Sequence, residues 1–261
     1  MEVIPPDIHQ EIMRRLEAVE CEKGVRILLA IESGSRAWGF ASPNSDFDVR
    51  FIYARPRDWY LSIDSEEKRD VIEYKIVDDI DLNGWDVRKA LQLFWRCNPA
   101  FVEWIQSPLQ YMASGAFAQT ARELLPEIYS WEKGIYHYRS MAKTNYRGYL
   151  RAETVPLKKY FYVLRPLLAA RWLETYHTAA PIEFERLLSP LSKEEKLLED
   201  IYMLLEKKKR SAEREHGPPI PRLNAFIERE LARLESFSSK GFHRTGSIER
   251  LNDLFRATLL E

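Results

Sequence analysis

Cysteine is scarce in this sequence, whose 261 residues contain only Cys21 and Cys97. The two lie far apart, and neither they nor the five histidines follow the spacing of a zinc site. We therefore expect two buried thiols rather than a disulfide or a zinc centre, as is usual in a cytoplasmic protein.

Long apolar runs are also lacking. The longest, VLRPLLAARWL (163–173), is interrupted by arginines and a proline, so we expect no membrane span. Residues 1–15 carry prolines and charges instead of the pattern of a signal peptide. What remains is typical of a globular protein, since 45% of the residues are hydrophobic and 12% are aromatic.

The net charge of −1 hides an uneven distribution. Acids outnumber bases over residues 1–110, and bases outnumber acids over residues 111–261. An acidic first part and a basic second part favour a shared ligand that is a polyanion accompanied by cations.

The apolar pattern changes along the chain in the same way. The apolar run at 25–32 and the alternating run FDVRFIYA (47–54) predict strands, and shorter strands are expected at 71–77 and 79–84, the last closed by Asn83-Gly84. From Asp86, which we expect to cap a helix, the spacing is helical. We therefore predict a small α/β domain over residues 1–107 and a helical domain over residues 108–261.

Two aspartates in GSRAWGFASPNSDFDVR (34–50) stand out. Alternate residues of a strand share a face, so Asp46, Asp48 and Arg50 should lie on one side of it. Two carboxylates ~4 Å apart repel by about 4 kcal/mol at an effective dielectric of ~20, which favours a shared proton or a bound cation. Oxygen ligands without histidine or cysteine select Mg²⁺ or Mn²⁺. The alternative is a polar turn that Asp46 caps.

The preceding glycine and serine suggest what such a cation would accompany. Gly34 lets backbone N–H groups approach a phosphate closely, while Ser35 offers a hydroxyl and Arg36 a charge. Asp81, between two apolar residues of a later strand, is the best candidate for a third carboxylate. These are the parts of a phosphoryl or nucleotidyl transfer site.

Gly34-Ser35, Asp46-Phe47-Asp48-Val49 and Asp81 resemble the motif of the DNA polymerase beta-like nucleotidyltransferase superfamily. The blocks GSRAWGFASPNSDFDVRFIY, IDLNGWDVRKAL, NPAFVEWIQSP and KKYFYVLRPLLAARW resemble its bacterial RNA-repair-pathway, RNA-ligase-associated branch, over about residues 27–173. One departure is Ser33, where the superfamily often has an apolar residue.

The resemblance implies an α+β fold with a mixed-sheet nucleotidyltransferase core followed by an all-helical domain. It implies Mg²⁺-dependent transfer of a nucleoside monophosphate from an NTP such as ATP, with release of pyrophosphate. Asp46, Asp48 and Asp81 would be the metal ligands. The branch further suggests an RNA 3′ end as acceptor and an RNA ligase as a pathway partner.

Basic and aromatic residues alternate in the second part. Between Lys133 and Arg171 the single acid is Glu153, and basic residues recur every four positions from Arg139 to Arg151. We expect contacts to the NTP or to RNA from five residues: Lys143, Arg147, Lys158, Lys159 and Tyr160. A solvated helix with core tyrosines is the alternative, and it is our interpretation of KKKR (207–210).

The sequence also leaves other functions open. The same core suits a protein adenylyltransferase or an enzyme that modifies a small hydroxylated molecule. A catalytically silent module that binds RNA or a nucleotide is a further alternative, which the three intact carboxylates disfavour.

Overall fold

The computed structural model describes residues 4–210, 215–239 and 241–261. Within this part, the chain divides into two compact units, each built from separated segments. The first unit consists of Met1–Ala37, Asp46–Tyr129 and Arg244–Glu261. The second consists of Trp38–Ser45 and Ser130–His243.

A five-stranded sheet forms the centre of the first unit. Its strands, in chain order, are β1 (Arg26–Glu32), β2 (Phe47–Ala54), β3 (Val71–Glu73), β4 (Ile80–Asp86) and β5 (Gln110–Ala113). The order across the sheet is β3-β4-β2-β1-β5. Only the β2–β4 pair among these strands is parallel, so the sheet is mixed and the predicted α+β fold is confirmed.

The strand pattern follows the sequence closely. β1 is buried over almost its whole length because it lies between β2 and β5. β2 has the bounds expected from its alternation. β3 is shorter than expected and ends at Glu73, and Asp78 and Asp79 adopt a left-handed backbone in the turn before β4. β5 was not predicted.

Gly84 does not close β4 as a turn; the strand continues to Asp86. A Cβ atom on Gly84 would lie 2.2 Å from the ring of Phe51 on β2, so only glycine leaves room for that ring. Asp86 caps the next helix as expected, because its carboxylate accepts a hydrogen bond from the amide of Arg88 at 2.8 Å.

Eleven α-helices lie within the described part of the chain. They are α1 (Pro6–Lys23), α2 (Gly34–Ala37), α3 (Arg57–Tyr60), α4 (Val87–Trp95), α5 (Pro99–Gln106), α6 (Phe117–Ile128), α7 (Trp131–Tyr149), α8 (Lys159–Tyr176), α9 (Glu195–Arg210), α10 (Pro221–Glu235) and α11 (Ile248–Thr258). None of them is long and apolar enough to cross a membrane.

The helices of the first unit pack against the sheet and against one another. α1 contributes Ile12, Leu16 and Val19 to a core that also contains Val49 and Phe51 of β2. α11 returns to this unit and packs against α4 and α6. This return explains why residues 244–261 belong with the sheet, although the sequence led us to expect a second domain from residue 108 to the end.

The second unit is mainly helical. α7 and α8 pack against each other, and α8 is buried along most of its length. A short 3-10 helix, Glu185–Leu191, and the two-residue strands β6 (Val155–Pro156) and β7 (His216–Gly217) complete the ordered elements of the described residues.

Cys21 and Cys97 are thiols and are not joined in a disulfide. The prediction of two buried thiols holds for Cys97 and is wrong for Cys21, which is exposed. Cys21 lies on α1, on the side opposite the residues that pack into the core, so its side chain faces solvent.

Candidate active site

Two of the predicted carboxylates lie side by side. β2 and β4 run parallel, and their register sets Asp48 directly beside Asp81. Asp48 and Arg50 are half-buried, whereas Phe47, Val49 and Phe51 are buried on the opposite face of β2. The sheet therefore carries an acidic pair on one face and a hydrophobic core on the other.

Arg50 joins the two aspartates. Its Nη2 donates to Asp48 Oδ1 at 3.0 Å and to Asp81 Oδ2 at 2.7 Å, and its Nη1 donates to the carbonyl of Asp81 at 2.8 Å. The sequence placed Arg50 on this face but gave it no such role. The guanidinium supplies positive charge where the two carboxylates would otherwise repel each other.

Asp81 has a second orienting partner that sequence reasoning missed. The amide of Asn83, two residues along β4 and on the same face, donates to Asp81 Oδ1 at 2.5 Å. Both carboxylate oxygens of Asp81 therefore accept a hydrogen bond from a side chain, which fixes the orientation of the group.

Asp46 lies one residue before β2, outside the strand, and is half-buried. Within residues 4–210, 215–239 and 241–261, no three histidine, cysteine, aspartate or glutamate side chains form a group suited to hold a metal ion. The structure thus brings Asp48 and Asp81 together, while a convergence of Asp46 with that pair stays a prediction.

Gly34 lies against Asp48. Its φ of +58° is in the left-handed region, and a Cβ atom at this position would lie 1.9 Å from Asp48 Oδ2. The amide of Ser33 also donates to the carbonyl of Asp48 at 2.8 Å. The glycine is therefore required by the approach of this turn to the acidic pair, quite apart from any ligand.

Ser35 and Arg36 follow Gly34 in the four-residue helix α2. Ser35 is half-buried. Arg36 is buried, and its guanidinium carbon lies 4.0 Å from the centre of the Phe47 ring, the geometry of a cation–π contact. In this structure the charge of Arg36 is held against β2.

Glu32 is a buried acid that sequence reasoning overlooked. Its Oε1 accepts a hydrogen bond from the amide of Asp48 at 3.0 Å, and its Oε2 accepts one from the Tyr111 hydroxyl at 2.6 Å. Burial raises the pKa of Glu32 to about 7, with the charge of Asp48 adding to the effect. An acid at the end of the apolar run 25–32 was the available signal.

The basic stripe of α7 meets the end of α10 inside the second unit. Lys143 forms an ion pair with Glu235 at 2.6 Å, and Arg139 donates to the carbonyl of Leu234 at 3.0 Å. The ion pair offsets the charge of one residue in a stripe that we expected to be almost purely positive. Arg147 is exposed on the same helix.

The cluster at the start of α8 divides in two. Lys158 and Lys159 are half-buried, and Lys159 Nζ lies 4.2 and 4.3 Å from the ring centres of Tyr149 and Tyr162. The prediction that Tyr160 contacts a nucleotide is not supported, because its side chain is fully buried. Its hydroxyl donates to Asn224 Oδ1 at 2.6 Å and accepts from the amide of Ile220 at 2.8 Å.

Lys208 departs from the expected solvated helix at 207–210. It is buried, and its ammonium group donates to the hydroxyls of Ser42 at 3.0 Å and Ser45 at 3.3 Å. A buried lysine needs such partners, since desolvation of an ammonium group is costly. Nothing in the run KKKR distinguishes this lysine from its neighbours.

The mixed sheet, which carries paired aspartates on neighbouring strands beside a glycine turn, has the fold of a polymerase beta-like nucleotidyltransferase. The sequence matches the model of one family over residues 8–257. The chain belongs to that family, the RNA repair pathway DNA polymerase beta family.

Two comparisons with individual proteins accompany this match. The chain is 44% identical over 253 residues to the uncharacterized protein YcgL of Bacillus subtilis (strain 168), covering 97% of this chain and 96% of YcgL. A nucleotidyltransferase-like protein from Exiguobacterium sibiricum 255-15, solved at 1.90 Å, is 9% identical, with 94% of this chain and 74% of that protein covered. Its TM-score of 0.32 is too low to support an argument.

Proposed function

We propose that this nucleotidyltransferase transfers a nucleoside monophosphate from an NTP to the 3′ hydroxyl of an RNA, with Mg²⁺ or Mn²⁺ as cofactor. The observation that supports this most directly is the pairing of Asp48 with Asp81 across parallel strands. Arg50 offsets part of the repulsion between these two carboxylates, and a bound divalent cation would offset the rest. The family description provides the link to RNA repair.

The residues present fit a magnesium ion. Mg²⁺ prefers carboxylate oxygens and usually takes one or two of them together with phosphate oxygens of a substrate. Asp48 and Asp81 offer such oxygens, and Asp46, which precedes β2, would add a third carboxylate. The bound ion would stabilise the negative charge that develops on the phosphates during transfer.

The chain's own residues would prepare the site for this ion. Glu32 and Ser33 hold the backbone of Asp48 on both its amide and carbonyl sides. Asn83 and Arg50 orient the carboxylate of Asp81. Preorganised groups of this kind lower the barrier because they need little rearrangement during the reaction.

In the proposed reaction, the oxygen of the RNA 3′ hydroxyl attacks the α-phosphorus of the NTP. A new oxygen–phosphorus bond forms, the bond from the α-phosphorus to the bridging oxygen breaks, and pyrophosphate leaves with that electron pair. Asp81 would accept the hydroxyl proton or pass it to water. The hydroxyl of Ser35, the backbone at Gly34 and the charge of Arg36 would hold the outer phosphates.

Cations of the second unit would contribute to binding phosphate. Lys143, Arg147 and Lys158 are basic side chains on or beside α7 and α8 that are not fully buried. We assign them to the phosphates of the NTP or of the RNA. An RNA ligase in the same pathway would then join the end that this enzyme has extended or restored.

Incubation with each radiolabelled NTP, Mg²⁺ and either total RNA or cell protein tests the proposal. Label is expected in RNA, and label in protein or in small molecules alone would overturn the assignment of the acceptor. Asp48→Asn should abolish transfer, because it removes a charged ligand while keeping the size of the side chain. Asp253→Asn, at an exposed position on α11, is the matched control and should transfer normally.

A further inference from the structure

A lysine lies between two exposed aromatic rings in the second unit. Lys159, the first residue of α8, has its ammonium group over the rings of Tyr149, at the end of α7, and Tyr162, one turn further along α8. The distances to the two ring centres are 4.2 and 4.3 Å. The helix ends thus hold the three side chains together as one patch, which we call the Tyr149–Lys159–Tyr162 surface.

Both rings are accessible to solvent. Tyr149 is 42% exposed and Tyr162 is 39% exposed, whereas Tyr138 and Tyr160 in the same two helices are buried in the core. Large aromatic side chains that remain accessible often belong to binding surfaces. These two tyrosines therefore present accessible aromatic surface next to the ammonium group of Lys159.

The charge of this surface is positive. In the described part of the chain, neither Lys159 nor the exposed Arg151, which follows α7, forms an ion pair with a carboxylate. Lys143, in contrast, is paired with Glu235. The unpaired cations and the accessible rings thus occur together at the corner where α7 leads into α8.

Further aromatic residues continue from this surface. The ring of Trp38 meets that of Tyr162 edge-on at 5.9 Å, and Arg165 lies 4.6 Å from the centre of the Trp38 ring. Trp38 belongs to the short segment that this unit takes from the first part of the chain. The aromatic groups therefore continue from Tyr162 to Trp38, whereas Arg165 itself is buried.

We infer that the Tyr149–Lys159–Tyr162 surface binds single-stranded RNA, with bases stacked on the tyrosine rings and a phosphate bound by Lys159. Successive bases have flat faces that suit exposed rings, and the cation meets the charge of the backbone. The inference rests on the proposed function and deepens it, because it assigns the residues that hold the acceptor. It also assigns Lys159 to the RNA, where the sequence left the choice between NTP and RNA open.

A phosphopeptide would satisfy the cation but not two exposed rings. A free NTP offers one base for two tyrosines. The observations therefore favour a polymer with repeated bases and phosphates, and an NTP becomes an outcome that the experiment distinguishes.

Fluorescence anisotropy of a labelled single-stranded oligonucleotide RNA, measured without NTP, tests the inference. Tyr149→Ala and Tyr162→Ala should each weaken binding roughly tenfold, and the corresponding phenylalanine variants should bind like the wild type, because stacking needs the ring and not the hydroxyl. Lys159→Ala should reduce the slope of log affinity against log salt by about 0.7, the value for one phosphate contact on a single strand.

Matched controls come from α9. Tyr202 is 46% exposed and Lys196 is an exposed lysine, so Tyr202→Ala and Lys196→Ala test whether loss of any accessible tyrosine or lysine has the same effect. Both should leave RNA affinity unchanged. Thermal unfolding midpoints of all these variants should stay close to that of the wild type, since none of the substituted side chains is in the buried core.

Three outcomes would overturn the inference: alanine variants that bind RNA normally, a wild type that binds no single-stranded RNA, or alanine variants that lose affinity for NTP instead.

The variant Asp48→Asn distinguishes a failure of this inference from a failure of the proposed function. It should bind RNA like the wild type while transferring no label. If the wild type binds RNA through this surface but transfers no nucleotide, the proposed function is wrong and the RNA-binding inference stands. If the substitutions of Tyr149, Lys159 and Tyr162 leave transfer to RNA unchanged, the RNA-binding inference is wrong and the proposed function stands.

Discussion

Glu32 and Asp48 are linked by a hydrogen bond of 3.0 Å from the amide of Asp48 to Glu32 Oε1. A fully buried acid thus supports the backbone of the strand that carries the acidic pair. The same acid makes the stability of the fold depend on pH.

Burial raises the pKa of Glu32 from 4.5 to about 7, so the folded state binds its proton more tightly than the unfolded state does. The associated stability is fully present below pH 4.5 and is lost as the pH rises towards 7. Glu32→Gln should therefore gain stability relative to the wild type over this range, by up to about 3 kcal/mol. Urea unfolding at several pH values in EDTA measures this gain.

Glu17→Gln, at an exposed position of α1, is the control for removing a carboxylate. Its unfolding free energy should stay parallel to that of the wild type across the pH series. Parallel curves for Glu32→Gln as well would contradict the role given to burial.

Arg50 should stabilise the metal-free protein through the two aspartates that it joins. Arg50→Met keeps much of the side-chain volume but removes the charge and should cost about 2 kcal/mol of unfolding free energy in EDTA. In the Asp81→Asn background the same substitution should cost less, because the repulsion between Asp48 and Asp81 is already gone. Equal costs in the two backgrounds would show that Arg50 acts independently of Asp81.

Gly34→Ala should be far more damaging than Gly24→Ala. The two glycines have nearly the same backbone, with φ of +58° and +59°, but a Cβ atom at Gly24 meets nothing within 4 Å. Gly24→Ala therefore reports the left-handed strain alone, about 1 kcal/mol. Gly34→Ala adds the clash with Asp48 Oδ2, and chemical denaturation together with a transfer assay should show losses of both stability and activity.

Tyr160→Phe should destabilise the second unit without changing the affinity of the folded protein for nucleotide. The substitution removes the bond to Asn224 and leaves the amide of Ile220 without its acceptor, at a cost of about 1–3 kcal/mol. Tyr149→Phe, at an exposed position at the end of α7, should leave the unfolding midpoint unchanged. If Tyr160→Phe instead loses affinity for nucleotide without losing stability, Tyr160 contacts the nucleotide as the sequence predicted.

The sequence was sufficient where local pattern decides structure. The alternation of 47–54 gave both the bounds of β2 and the face that carries Asp48, because side-chain direction in a strand has a period of two. Prediction from the sequence failed where contacts between distant parts of the chain determine the structure. β5 is four residues long and lies among helices, so it forms only because the edge of β1 accepts it.

The site shows the same limit. The sequence identified Asp48 and Asp81 as candidate site residues. Their position beside each other, however, arises because β2 and β4 are adjacent, parallel strands. The bridging role of Arg50, the burial of Lys208 and the burial of Tyr160 all depend on partners at least 30 positions away in the chain. Local composition carries no information about such partners.

The segment Trp38–Ser45 belongs to the second unit, although the residues on both sides of it belong to the first. Because α11 also returns to the first unit, truncating the chain at a single position cannot yield either unit complete and separate from the other. Fragments ending near residue 129 would lack α11 and leave α4 and α6 partly uncovered. Expression of an isolated catalytic module, or its exchange between relatives, would have to preserve three separate stretches of chain.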